Sequence, residues 1–122
     1  MTIKIQQMLY DELKGKIFRY PVHTCPDDSI KIPYILIESI STSTLLYSQE
    51  SHKYQEVDVT INIYDKPYSN KNCLDGLDKA KSILENLSEK FPNISNLSIT
   101  TETQHNKNCF LGSLKLNFYC VD

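Results

Sequence analysis

Arginine is almost missing from this chain, since Arg19 is the only one in 122 residues. Proteins that hold DNA or RNA lean on arginine for phosphate and base contacts and gather their cations on one face. Here the formal net charge is -2 and the lysines are scattered from Lys4 to Lys115 without a dense block. Specific nucleic-acid binding is therefore not expected. Glycine is nearly as scarce, with Gly15, Gly76 and Gly112 far apart. A phosphate-cradling loop needs several glycines close together, so nucleotide binding by that route is excluded. No apolar run approaches the roughly 20 residues that span a bilayer. The opening Met1-Thr2-Ile3-Lys4-Ile5-Gln6-Gln7 lacks the long apolar region of a signal peptide. The expectation is a protein of the cytosol, or of a particle assembled there, with no membrane partner. Paired cysteines are absent too. Cys25, Cys73, Cys109 and Cys120 form no C-x-x-C unit, and free thiols are expected.

What is present describes one small globular domain. The length suits a single domain, and halving it would leave two cores too small to stand alone. Apolar residues make up 40% and charged residues 23%, a slightly lean core that leaves room for burial between subunits.

Periodicity gives the elements. Ile5, Met8, Leu9 and Leu13 share one face of a helix over 3–15, with Gly15 placed to end it. A short strand is expected over 17–22, ended by Pro21, and then a turn-rich loop over 23–29. The run Tyr34-Ile35-Leu36-Ile37 within a strand over 33–43 is too continuous for a one-sided strand, so both its faces should be at least partly covered. A polar loop over 44–53 follows, interrupted by Leu45, Leu46 and Tyr47. Over 54–64, Val57, Val59, Ile61 and Ile63 alternate with Asp58, Thr60, Asn62 and Tyr64, the period-two signature of a sheet with one buried face.

A long helix is expected over 70–91, capped by Ser69 or Asn70, with Leu74, Leu77, Ala80, Leu84, Leu87 and Phe91 as its apolar stripe. Gly76 inside it costs about 1 kcal/mol against alanine, which a close helix–sheet contact would offset. Strands over 94–103 and 112–121 complete the chain, joined by a loop over 104–108. The second carries Leu114, Leu116, Phe118 and Cys120 on one face. The order α-β-β-β-α-β-β with short links predicts an α+β domain, a mainly antiparallel sheet with two helices on one face.

Candidate chemistry is sparse. His23 and Cys25 have ligand-capable side chains two apart, but zinc needs three or four converging ligands, and His52, His105 and Cys109 are distant loop residues. Cys73 stands in the first turn of the second helix, where a helix dipole can activate a thiol, yet the plain reading is a packing cysteine. Asp27-Asp28 and the pair Asp75 and Asp78 read as solvated acids, since neither pair has the apolar flanks that split carboxylate pKa values. No serine occupies a G-x-S-x-G elbow. No cofactor or metal is expected and the chain does not read as an enzyme. Apolar Leu45, Leu46 and Tyr47 in a polar loop, and eight tyrosines, point instead to contact surfaces.

The order of parts resembles the tail-terminator, or tail-completion, family of long-tailed phages and phage-like particles. The likeness is carried by Met8-Leu9-Tyr10-Asp11-Glu12-Leu13-Lys14 in the opening helix and by Ile32-Pro33-Tyr34-Ile35-Leu36-Ile37. It continues through Val57-Asp58-Val59-Thr60-Ile61-Asn62-Ile63-Tyr64-Asp65, which runs into Ser69 and the long helix, then a closing hairpin. The family's usual glycines and arginines in the first long loop are mostly absent. The resemblance implies a structural virion-assembly protein without chemistry, a homohexameric ring at the head-proximal end of the tail tube. Such a ring stops tube polymerisation and joins the tube to the head–tail connector. Its partners would be further copies of itself, the tail tube protein and a connector protein, with subunit or tube contacts at Leu45, Leu46, Tyr47, Tyr54, Asp58 and Tyr64, and at His105 and Asn108 in the second hairpin loop. Another connector or minor tail protein is the near alternative. From a different class comes a small ligand-binding domain or enzyme with a pocket lined by His23, Cys25 or Cys73.

Overall fold

The structure, a computed structural model, describes residues 2–27, 29–46, 53–105 and 107–121. Its elements are α1 (Thr2–Leu13), β1 (Val22–His23), β2 (Tyr34–Leu46), β3 (Lys53–Asp65), α2 (Asn70–Leu84), the single turn α3 (Leu87–Lys90), β4 (Ile94–His105) and β5 (Phe110–Val121). They form the expected α+β domain around one five-stranded sheet ordered β1-β2-β3-β5-β4, antiparallel except where β1 pairs parallel with β2.

Strand alternation builds the core. Val57, Val59, Ile61 and Ile63 of β3 point under the helices, each 2% exposed or less. Register sets Ile35 and Ile37 of β2 beside Ile63 and Ile61, and Leu114, Leu116 and Phe118 of β5 on their other side. Leu9 and Leu13 of α1 and Leu77, Ala80 and Leu84 of α2 close over this layer. Each such valine, leucine, isoleucine or phenylalanine side chain contributes about 1.5–3 kcal/mol when removed from water. As the continuous apolar run required, Ile35, Leu36 and Ile37 are all buried, although Leu36 faces away from the helices.

Several boundaries differ from the sequence reading. The run 17–22 is not a strand. Arg19 adopts φ 79, which breaks an extended chain, and Ile17 and Tyr20 are used as buried plugs from turns. Only Val22 and His23 then join the sheet. The helix over 70–91 is interrupted at Asn86 (φ -90, ψ 3), and Leu87 beyond the break is buried. Within α2, Cys73 takes the inward place assigned to Leu74, which is 46% exposed. The spacing 73, 77, 80, 84 keeps one helical face, and position 74 is a full step of about 100° away from it. Ser69 is the N-cap residue, without a side-chain capping bond. Leu45 and Leu46 belong to β2 rather than to a loop, opposite Tyr54 and Lys53, so the first hairpin is much longer than expected. Tyr47 and His52 lie outside the described residues. Gln104 and His105 likewise extend β4.

Two close approaches fix α2 on the sheet. A Cβ on Gly112 of β5 would lie 2.7 Å from the Leu77 side chain and 3.0 Å from Cys73 Sγ. One on Gly76 would lie 3.0 Å from the Tyr20 ring and 3.5 Å from Ile63. The expected compensation for Gly76 is thus present, made more by Tyr20 than by the sheet.

Candidate interaction surface on the open sheet face

Helices α1 and α2 lie on one side of the sheet, so the alternate residues of β2, β3 and β5 face away from them. Cross-strand register arranges those residues in rows: Tyr34–Tyr64–Leu111, Leu36–Asn62–Ser113, Ser39–Thr60–Lys115, Ser41–Asp58–Asn117 and Ser43–Glu56–Tyr119. Apart from the aromatic rows at each end and Leu36, this face is polar, and its polar groups bond to one another. Ser113 Oγ donates to Asn62 Oδ1 at 2.6 Å, and Asn62 Nδ2 donates to Glu38. The Tyr64 hydroxyl donates to the same Glu38 carboxylate at 3.1 Å. Asn117 Nδ2 is shared between Asp58 Oδ1 at 2.8 Å and Glu56 Oε1 at 3.0 Å. Lys115 pairs with Glu102 at 3.3 Å, an exposed bridge worth little by itself. Tyr64 stacks on Tyr34 with ring centroids 5.0 Å apart, and His23 meets Tyr34 edge-on at 6.0 Å.

Glu38 occupies the register shift between Ile37 and Ser39. That irregularity turns its carboxylate onto the open face beside Asn62 and Tyr64, as bulges commonly re-aim a side chain. Burial and then the Glu38 charge push the Tyr64 phenol up to about 12, and the same two causes raise Tyr34. Both remain neutral hydrogen-bonding groups at physiological pH.

The expected contact residues separate into two ends joined by this face. Asp58 is exposed, and Tyr54 and Tyr64 are half-buried. All three are on the open side, and Leu45 stands at the register position opposite Tyr54. Leu46, opposite Lys53, closes the described part of the first hairpin. At the other end, His105 Nε2 is 2.8 Å from the Pro67 carbonyl oxygen and its ring tilts against Phe110 at 5.9 Å. With a carbonyl as partner, Nε2 carries the proton, and His105 fastens its own hairpin to the β3–α2 connection. Asn108 is exposed in the adjoining turn. Glu38, Glu56, Ser113 and Asn117 complete the network and are additional to the expected set. The polar half of the β5 alternation, Ser113, Lys115, Asn117 and Tyr119, is the sequence signal that marks it.

The other candidates do not converge. His23 and Cys25 line an open cleft of about 470 Å³ with Tyr10, Pro26 and Asp27. Cys73 is instead buried under α2 against Gly112. Burial, then the nearby Asp65, pushes its thiol up to about 11, the environment of a packing cysteine. Asp27 Oδ1 accepts the Ser29 N–H at 2.9 Å, and that bond holds its carboxyl below the usual range. Asp75 and Asp78 are exposed on α2. None of the four cysteines is joined in a disulfide. Among the described residues no cluster of three or more His, Cys, Asp or Glu could hold a metal ion. No helix among them is long and apolar enough to cross a membrane.

A buried pair escapes sequence reading altogether. Tyr20 donates its hydroxyl to Asp65 Oδ2 at 2.5 Å, and Asp65 Oδ1 accepts the Lys66 N–H at 2.7 Å. Asp65 is fully buried, and burial, then this bond, raises the Tyr20 phenol far above its ordinary range.

No protein-family model matches this chain, and a search of curated proteins returns no significant match.

Proposed function

We propose that this protein is a structural assembly component of the tail-terminator type. In this reading copies of the chain form a ring that caps the head-proximal end of a tail tube, stops its growth and presents a surface to the head–tail connector. The single observation that favours it is the division of the sheet. One face is covered by α1 and α2, while among the described residues most of the other is left open as a polar, internally hydrogen-bonded platform flanked by two long hairpins. A platform whose side chains already satisfy one another loses little on docking, because its polar groups are held in place beforehand. The described ends of the two hairpins lie at opposite ends of the sheet, Leu46 and Lys53 for β2–β3 and His105 and Phe110 for β4–β5. A tube below and a connector above need two such ends. The resemblance of the Pro33-Tyr34 strand and of the Tyr64-Asp65 junction into α2 points the same way.

The test is tube assembly. The tail tube protein from the same source is polymerised with and without this chain, and tube lengths are measured by electron microscopy. The reading predicts shorter tubes bearing an extra ring at one end. Unchanged lengths with no bound chain would refute it.

A further inference from the structure

A sheet edge exposes unpaired N–H and C=O groups and invites another strand, so proteins guard edges with lysine, proline, bulges or a covering element. This sheet guards each edge over only part of its length. On the β2 side, β1 covers Ile35 and Leu36, and a register shift follows between Ile37 and Ser39. On the β4 side, a shift between Ser95 and Ser98, with Asn96 at φ 53, distorts the start of the strand. Beyond these guards both strands are regular. The runs 40–46 and 98–105 contain no lysine, arginine or proline, and Glu102 is their sole formal charge. Among the described residues neither run has a strand on its outer side.

We infer that these two open runs are the halves of one self-contact, in which β4 of each copy pairs antiparallel with β2 of the next. The inference rests on the assembly reading above and names the surfaces that make it. Direction fits without adjustment. β2, β3, β5 and β4 alternate in sense, so a second copy laid alongside in the same orientation brings its β2 antiparallel to β4. The faces fit too, because such a copy keeps its helices on the same side. Ile40 on one edge and Leu97 and Ile99 on the other are partly buried against the core. Ile40 and Ile99 belong to one cross-strand row through Val59 and Leu116, so each edge carries an apolar residue on the helix side. The open runs are not level: 40–46 lies toward the β2–β3 tip, and 98–105 toward the opposite tip. Pairing them therefore requires each copy to slip along the strand direction. A constant slip with tilted strands is the geometry by which sheets close into barrels, so the junction favours a closed ring over a flat ribbon. Two different surfaces per contact make the association heterologous, as a ring demands.

Ser43 and Thr103 are exposed positions within the two runs, so a lysine at either leaves the monomer core untouched. The wild-type chain, Ser43→Lys, Thr103→Lys and an equimolar mixture of the two variants are compared by light scattering across a concentration series. The wild type is expected to assemble and each variant alone to stay monomeric. The mixture should stop at a dimer, because only one intact junction remains between unlike partners. Hydrogen exchange of the assembled wild type should show slowed amides in 40–46 and 98–105. Wild-type assemblies that survive both substitutions would overturn the edge pairing while leaving the ring reading to its tube assay. Assemblies broken by Thr103→Lys alone would also overturn it, since they indicate twofold β4–β4 pairing. A wild type that is monomeric throughout overturns the inference as well.

Discussion

The hydroxyl of Tyr20 is the proton donor that Asp65 depends on in the interior, and nothing near either residue in the chain announces the pair. They are 45 positions apart and meet because Ile17–Tyr20 folds inward where an extended segment was expected. Tyr20→Phe keeps the ring that packs on Gly76 but strips the carboxylate of this bond. The expected loss is about 1–3 kcal/mol, the cost of leaving a buried polar group unsatisfied, read from urea midpoints at unchanged m-value. The same group sets a pH limit. Tyr20, Tyr64 and Cys73 all hold their protons more tightly in the folded chain than at their ordinary values of 10.0 for tyrosine and 9.0 for cysteine. Their contribution to stability is therefore complete below those ordinary values and is lost as pH rises through and beyond them. Thermal midpoints should stay level through neutral pH and fall progressively from about pH 9 upward, with Tyr20→Phe falling less steeply. A flat midpoint to pH 11 would contradict the assignment.

At the scale of elements, alternation and helical spacing made most of the fold legible. The β3 pattern of Val57, Val59, Ile61 and Ile63 and the β5 pattern of Leu114, Leu116 and Phe118 match the buried face residue for residue. What composition could not reveal is how far strands run past the core. Positions 44–46 are polar or apolar without periodic meaning, yet they pair with β3 and extend the hairpin ladder. The break after α2 was hidden for a related reason: Leu84, Leu87 and Phe91 satisfy an unbroken helical stripe, so spacing carries no sign of the interruption at Asn86. The open face was half legible, through Asp58 and Tyr64, while Glu38 depended on an irregularity that alternation does not encode. The α2–β5 contact offers a test at this scale. Gly112→Ala places a methyl group 2.7 Å from the Leu77 side chain and 3.0 Å from Cys73 Sγ, both buried, so the neighbouring side chains must shift. Overpacking of this kind costs about 1–3 kcal/mol, and denaturant titration should show it. A neutral result would mean that α2 lifts from the sheet freely.

Among its described residues the molecule is a layered domain that leaves most of one sheet face and two stretches of sheet edge without internal cover. A lean core and polar, pre-bonded open surfaces are consistent with a chain that finishes its burial in company. Ring formation follows if each copy offers β4 to the next copy's β2, and the platform then repeats around the ring. The most direct measurement is the solution mass of the wild-type protein by light scattering over a concentration series, with negative-stain imaging of the same samples. The account predicts one discrete assembly, a fixed multiple of the 14.1 kDa chain, appearing as closed rings. A mass of 14.1 kDa at every concentration, with no particles in the images, would contradict it.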